Sequence, residues 1–149
     1  MLRYVKTFLG VIFRRPLPGV IVVPILANGQ IVLVRRHDNG RWGLPGGLID
    51  WGDTIEMTAS RELAEETGLQ MTSLGRLVGV YSQYERDPRL HSVGILVEAS
   101  VEGAFEIRDK GEISAVQAFH PQEIPLENLT HDHERMLMDY WQDSSVIVD

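Results

Sequence analysis

The apolar positions of this chain fall into runs of two kinds. Val20–Leu26 and Ile31–Val34 are unbroken β-branched and aliphatic stretches, the pattern of strands buried on both faces. Between them Asn28-Gly29 predicts a hairpin, because both residues tolerate the positive φ of a tight turn. Pro24, inside the first run, has no N–H to give a ladder and predicts an edge position or a bulge. Leu74–Tyr81, Val93–Val101 and the shorter Ala115–Phe119 read as further strands. Thr54–Thr67 follows a helical period instead, with Ile55, Ala59 and Leu63 on one stripe. Asp53 or Thr54 stands at its N-cap, Glu56 is placed for a capping box, and Gly68 is the terminator. A last helix is expected from about Thr130 to Gln142, with Thr130 as N-cap and Met136, Leu137, Tyr140 and Trp141 on its apolar side. Two segments lack a period: His37–Gly47, with four glycines and Pro45, and the polar Ser82–His91. Strands and helices mixed this irregularly predict an α+β fold in which helices cover a sheet.

Composition narrows the class. At 149 residues, with 44% hydrophobic and 23% charged positions, the chain has the size and balance of one globular domain. Its core is expected at about 20–142, with 1–19 as an extension. The absence of cysteine excludes a disulfide framework, a thiolate zinc site and cysteine nucleophile chemistry. No apolar run approaches the roughly 18 residues of a membrane span, so a soluble, cytoplasmic protein is expected. Met1–Phe13 reads as a segment packing on the domain, with a membrane-surface helix as the other reading and a homodimer contact as a further use. A signal peptide fits poorly, because the apolar stretch Thr7–Phe13 is short and no small-residue cleavage site follows it.

Charge is unevenly spread over a net −7. No acidic residue precedes Asp38, whereas the first 37 residues hold Arg3, Lys6, Arg14, Arg15, Arg35 and Arg36. Overall acidity argues against nucleic-acid binding. Lys6 and Lys110 are the only lysines, and an arginine bias suits forked contact with phosphate or carboxylate.

The helix 54–67 carries its charges in an unfavourable place. Glu62, Glu65 and Glu66 fall within an arc of roughly 100°, and Glu66 projects between Ile55 and Ala59 at the edge of the inward stripe. They repel one another at i, i+3 and i, i+4, by about 0.2–0.5 kcal/mol per pair. They also crowd the helix C-terminus, where the macrodipole disfavours anions. An exposed acidic helix end is the plain reading of Glu-x-x-Glu-Glu alone; a cation between hard oxygen ligands is the sharper one, and Mg²⁺ or Mn²⁺ suits such ligands. Gly46-Gly47 upstream lets backbone approach a metal or phosphate, and Arg61 is placed to pair with Asp53.

Gly47-x5-Asp53-x7-Arg61-Glu62-Leu63-x-Glu65-Glu66-x-Gly68-Leu69 resembles the signature of the Nudix hydrolases, G-x5-E-x7-R-E-U-x-E-E-x-G-U with U aliphatic. Eight of its nine specified positions match over residues 47–69. Trp42-Gly43-Leu44-Pro45-Gly46-Gly47 is similar to the family's approach to this box, and Glu112 before Phe119 and Pro121 to its later glutamate segment. The departure is Asp53 where the pattern has glutamate, which predicts a reorganised Asp53–Arg61 contact rather than lost activity.

The resemblance implies an α/β/α sandwich with a mixed sheet between helices. It implies hydrolysis of a nucleoside diphosphate linked to another moiety, by water attacking phosphorus with a divalent metal and a base. Glu62, Glu66, Glu65 and the Gly46 carbonyl form the implied metal set, with Mg²⁺ the expected ion and Mn²⁺ the alternative. Glu65, Glu112 and Arg61 form the implied catalytic set, the base being open between Glu65 and Glu112, with Glu62 behind them; Gly47, Asp53 and Gly68 give structural support. Arg35, Arg41, Tyr84, Arg86 and Arg89 are the candidate substrate contacts, although strand alternation allows at most one of Arg35 and Arg36 to face the site. The loop 81–89 is similar to that of Nudix enzymes acting on ADP-ribose-type sugars, although those often have Asp-Pro where Gln83-Tyr84 stands. A small nucleotide is therefore the expected partner, with ADP-ribose or a nucleotide sugar ahead of nucleoside triphosphate clean-up.

Other constellations are weaker. His131-x-His133 resembles half a metal site, but alternate residues at a helix start are expected to face apart. There is no G-x4-G-K-[ST] phosphate loop, no D-x-D-x-D-G calcium loop and no Ser-His-acid motif. A silent nucleotide-binding module is the remaining rival, and retention of all three box glutamates counts against it.

Overall fold

The computed structural model describes residues 14–143 and 145–149. The readings placed on Met1–Phe13 lie outside the described residues. Among the described residues eight strands and two α-helices follow in order: β1 (Leu17–Ile25), β2 (Ile31–Arg36), β3 (Trp42–Gly43), β4 (Gly46–Leu48), α1 (Ile55–Thr67), β5 (Gln70–Tyr81), β6 (Ser92–Glu102), β7 (Ile113–Phe119), α2 (His133–Gln142) and β8 (Ile147–Val148). The main strand order is β3-β2-β1-β6-β5-β8, with β4 added on β1 and β7 on β2. β1–β6 and β5–β8 are parallel and the other pairs antiparallel, so the sheet is mixed.

The unbroken apolar run of β1 has its cause in two cores. Val20 and Val22 point to the α1 side, where they meet Val32, Ala59, Leu63, Leu69, Val97 and Ala99. Val23 points the other way, toward Ile31, Leu33, Leu96, Phe119, Met136 and Leu137 beneath α2. A strand covered on both faces has no polar side to alternate with. This is the expected α/β/α sandwich.

Several local expectations change. Pro24 lies in an inner strand, opposite Ala99 of β6. The β1–β2 ladder closes at Ile25↔Ile31, while Val22 and Leu26 donate to Pro45 and Gln30 on that side. The nitrogen of Pro24 therefore faces a gap in the pairing rather than a sheet edge. The loop 37–47 contains β3 and the start of β4, and β1 begins at Leu17, ahead of the expected core boundary. Thr54, not Asp53, caps α1 by accepting from Met57 N–H, so Glu56 is one position early for a capping box. Gly68 ends α1 at φ 78°, in the left-handed region, as expected.

The second helix starts at His133 rather than Thr130. The Thr130 hydroxyl accepts from Asn39 Nδ2 at 2.8 Å, and His131 turns the chain at φ 49°. Asp132, the residue before the helix, gives it no side-chain cap because its carboxylate is bonded to Arg86.

Candidate active site

α1 packs against β4, and this contact decides where the acids go. Glu62 and Glu66, one turn apart, face the Gly46-Gly47 strand, whereas Glu65 stands round the helix from them. Gly46 N–H donates to Glu66 Oε2 at 3.1 Å. A Cβ on Gly47 would fall on the Glu62 carboxylate, so only glycine allows this approach. Glu66 is 3% exposed, a carboxylate at the edge of the apolar stripe as the pattern predicted. Burial, reinforced by the Glu62 charge, pushes its pKa up to about 8, with the Gly46 N–H opposing. Burial raises Glu62 as well, against the attraction of Arg61.

Arg61 is the hub of this acidic end. Its Nη1 lies 2.8 Å from Glu62 Oε1 and 3.8 Å from Glu65 Oε2, and its Nη2 lies 3.2 Å from Asp50 Oδ2. Asp53 Oδ2 reaches only to 3.7 Å from Nε, and Nε is buried with no hydrogen-bond partner. Of the two aspartates, Asp50 thus makes the shorter contact with Arg61.

Glu112 arrives through a docked loop. The carbonyl of Glu65 accepts from Arg108 and Asp109 N–H at 2.9 Å each, and the Thr67 carbonyl accepts from Glu106 N–H at 2.9 Å. These bonds satisfy carbonyls that the end of α1 leaves free and fix the segment before β7. Glu112 follows, its carbonyl accepting from His37 N–H and its Oε1 lying 3.1 Å from Arg36 Nη2. Arg36 also pairs with Asp38 at 2.9 Å.

Arg36 and Glu112 line a cavity of about 420 Å³, together with Gly46, Gly47, Asp50, Arg61 and Glu62. Its far wall is Arg86, Asp87, Arg89, Leu90 and Ser92, with His131 and His133 beside them. The structure brings Arg36 to this cavity and leaves Arg35 outside, bonded to the Gly40 carbonyl at 2.9 Å. Parity with Val32, which packs toward α1, is the sequence signal that selects Arg36. Arg41 reaches back to the Leu129 carbonyl, and Tyr84 is exposed with its ring edge against His91; neither lines the cavity.

Arg86 lines the wall, but its guanidinium is committed to the protein. Nε donates to Asp132 Oδ2 at 3.0 Å and Nη1 to the Ser92 hydroxyl, with the side chain 7% exposed. Arg89 is half exposed and pairs with Asp87 at 2.8 Å and Asp38 at 3.6 Å. Burial works against the Asp87 charge, but the Arg89 side chain and N–H outweigh it and hold Asp87 at about 2. His131 and His133 do not face apart: their rings meet edge to face at 6.0 Å, because His131 lies outside the helix. His133 Nδ1 accepts from Leu44 N–H at 3.0 Å, and burial pushes its pKa down to about 3.

The donors at α1 and β4 fit a divalent cation. Two carboxylates and a backbone clear of side chains are hard oxygen chemistry, and the buried Glu66 carboxylate has one N–H as its hydrogen-bond partner. Among the described residues no three His, Asp, Glu or Cys side chains gather closely enough to enclose an ion. Such a set suits a cation that shares its shell with water and phosphate. No helix among the described residues is long and apolar enough to cross a membrane.

Comparison with known proteins agrees with this geometry. The family model described as NUDIX domain matches residues 15–140. The chain is 35% identical over 127 residues to the ADP-ribose pyrophosphatase of Methanocaldococcus jannaschii, covering 83% of this chain and 73% of that protein. It is 33% identical over 108 residues to a putative 8-oxo-dGTP diphosphatase of Bacillus subtilis, covering 72% and 69%. Its fold superposes with a TM-score of 0.77 on the NUDIX domain of Shewanella oneidensis NrtR complexed with ADP ribose, at 25% identity over 95% of this chain and 96% of that one.

Proposed function

The chain belongs to the NUDIX family and is a Nudix pyrophosphohydrolase, and from that premise we propose that it cleaves the pyrophosphate of ADP-ribose or a similar nucleoside diphosphate sugar with Mg²⁺. The observation that carries the reading is the convergence of Glu62, Gly46 and Glu112 on one cavity, with the buried Glu66 carboxylate bonded to Gly46 N–H beside it. Its volume of about 420 Å³ lies in the range of small-molecule sites. The identity to an ADP-ribose pyrophosphatase and the fold shared with an ADP-ribose-bound domain support the choice of sugar nucleotide.

Glu62, Glu66 and the Gly46 carbonyl hold the cation in this reading, with Mn²⁺ as a substitute. When bound, the ion neutralises phosphate charge and stabilises the transferring phosphoryl group. Glu112, which lies on the cavity while Glu65 does not, takes the proton of the attacking water, and Arg36 orients its carboxylate. Arg61 holds Glu62 and stays outside the chemistry. Arg89 is the wall cation with exposed surface, and it meets the substrate's phosphate or ribose side. The partner is a small nucleotide, and the reaction is cytoplasmic.

The test is turnover of ADP-ribose, nucleotide sugars and 8-oxo-dGTP, each with and without Mg²⁺. AMP and ribose 5-phosphate released only with the cation support the reading. Preference for the triphosphate would favour clean-up chemistry, a reading the Bacillus subtilis relative supports. Absence of turnover with every nucleotide would overturn the proposal.

A further inference from the structure

We infer that Asp149 is a positioning residue for the cavity wall 82–91 and acts through Ser82. β8 adds in parallel to the end of β5, with Gly79 opposite Ile147 and Val80 opposite Val148. This pairing sets Asp149 beside the point where β5 ends and the wall segment begins. Asp149 N–H donates to the Val80 carbonyl at 3.3 Å. Its Oδ1 accepts from Ser82 N–H at 2.6 Å and from the Ser82 hydroxyl at 3.2 Å. The same hydroxyl lies 3.1 Å from the Asp149 carbonyl, and Oδ2 accepts from Arg135 Nη1 at 3.2 Å. The carboxylate is 4% exposed.

Ser82 clasps both ends of the wall. Its carbonyl bonds His91 Nε2 at 2.9 Å, and the His91 carbonyl accepts from Leu17 N–H at 2.9 Å. Between these two residues lie Arg86, Asp87, Arg89 and Leu90, all on the cavity. From within, a short 3₁₀ turn, Tyr84–Arg86, and the local bonds of Arg89 to Asp87 order the segment. The Arg86–Asp132 and Arg89–Asp38 pairs tie its middle to the body. The stem therefore depends on Ser82, and Ser82 depends on a buried charged acceptor more than sixty positions away. Removing that acceptor leaves a backbone N–H unpaired and the wall free to open without unfolding the sheet.

The inference rests on the reading that the cavity takes the substrate, so its test includes a measurement made without substrate. Trypsin cleavage after Arg89 reports opening of the wall. Asp149→Ala is expected to speed that cleavage about tenfold while the thermal midpoint moves by less than about 3 °C. Asp149→Asn, which keeps an oxygen for Ser82, is expected to recover at least half of the protection. In turnover, Asp149→Ala is expected to raise KM about fivefold with kcat within about twofold. Cleavage at the wild-type rate, or acceleration at every arginine in proportion to a global loss of stability, would overturn the inference. So would a fall in kcat with KM unchanged. If Asp149→Ala does not fold, Ser82→Ala replaces it, with about threefold faster cleavage expected and a wild-type rate counting against. A chain that hydrolysed no nucleotide would sink the proposed function and leave the proteolysis result to judge Asp149 alone.

Discussion

Lengthening Asp53 by one methylene tests the acidic end of α1 with the smallest available change. In the structure the Asp53 Oδ2 to Arg61 Nε contact is 3.7 Å, and Nε is buried without a partner. A glutamate adds roughly 1.2 Å of reach for its extra C–C bond, enough to bring the oxygen into hydrogen-bond range. A hydrogen bond to a charged group contributes about 1.5–3 kcal/mol. The two side chains are 31% and 22% exposed, so solvent screens the gain, and glutamate has one more rotor to order. About 1 kcal/mol remains. For a chain of this length that raises Tm by about 2–4 °C. Scanning calorimetry of Asp53→Glu beside wild type measures it, and kcat is expected to stay within about twofold because Nη1 keeps Glu62. An unchanged or lowered Tm would refute the claim that the missing methylene is what leaves Nε unpaired.

Three further outcomes follow from the same contacts. Glu66→Gln is expected to lower Mg²⁺-dependent kcat by at least about 10³-fold while the thermal midpoint holds, since a neutral amide is cheaper to bury than a carboxylate; turnover after metal stripping and repletion, with a thermal melt, checks both halves. Arg86→Ala leaves Asp132 buried without its cation and is expected to cost about 3 kcal/mol, read in urea denaturation, rather than to change substrate preference alone. His133 folds neutral with its pKa pushed down to about 3, while the unfolded chain titrates near the ordinary histidine value. The unfolded state therefore binds more protons below about pH 6.5. The contribution of His133 is whole above that pH and is lost progressively as pH falls toward 3. Between pH 6.5 and 5 wild type is expected to lose about 2 kcal/mol more than His133→Asn, measured as the difference in denaturant midpoints.

Much of the site was legible because its signals are local. The spacing of Glu62 and Glu66 puts both on one helical face in any fold, and Gly46-Gly47 announces a close approach. Glu65 illustrates the limit: periodicity placed it in the same arc, but the sheet meets the other side of that arc and leaves it beside Arg61, off the cavity. Glu112 depended on the docking of 106–109 onto the end of α1, a contact of backbone with backbone that no side-chain pattern encodes. Arg86 looked like a free cation until its partner Asp132 came across from before α2, where it gives that helix no side-chain cap.

The sequence by itself determined the helix that carries the acids, the strands buried on both faces and the placing of Glu62 and Glu66 on one helical face, because each follows from a period or a spacing within one element. Tertiary structure decided which arginine faces the cavity, which glutamate stands behind it and how the wall 82–91 is held. Those choices depend on pairs such as Arg36–Glu112, Arg86–Asp132 and Ser82–Asp149. Their members lie far apart in the chain, and their attraction acts only after the sheet has brought them within a hydrogen bond of each other.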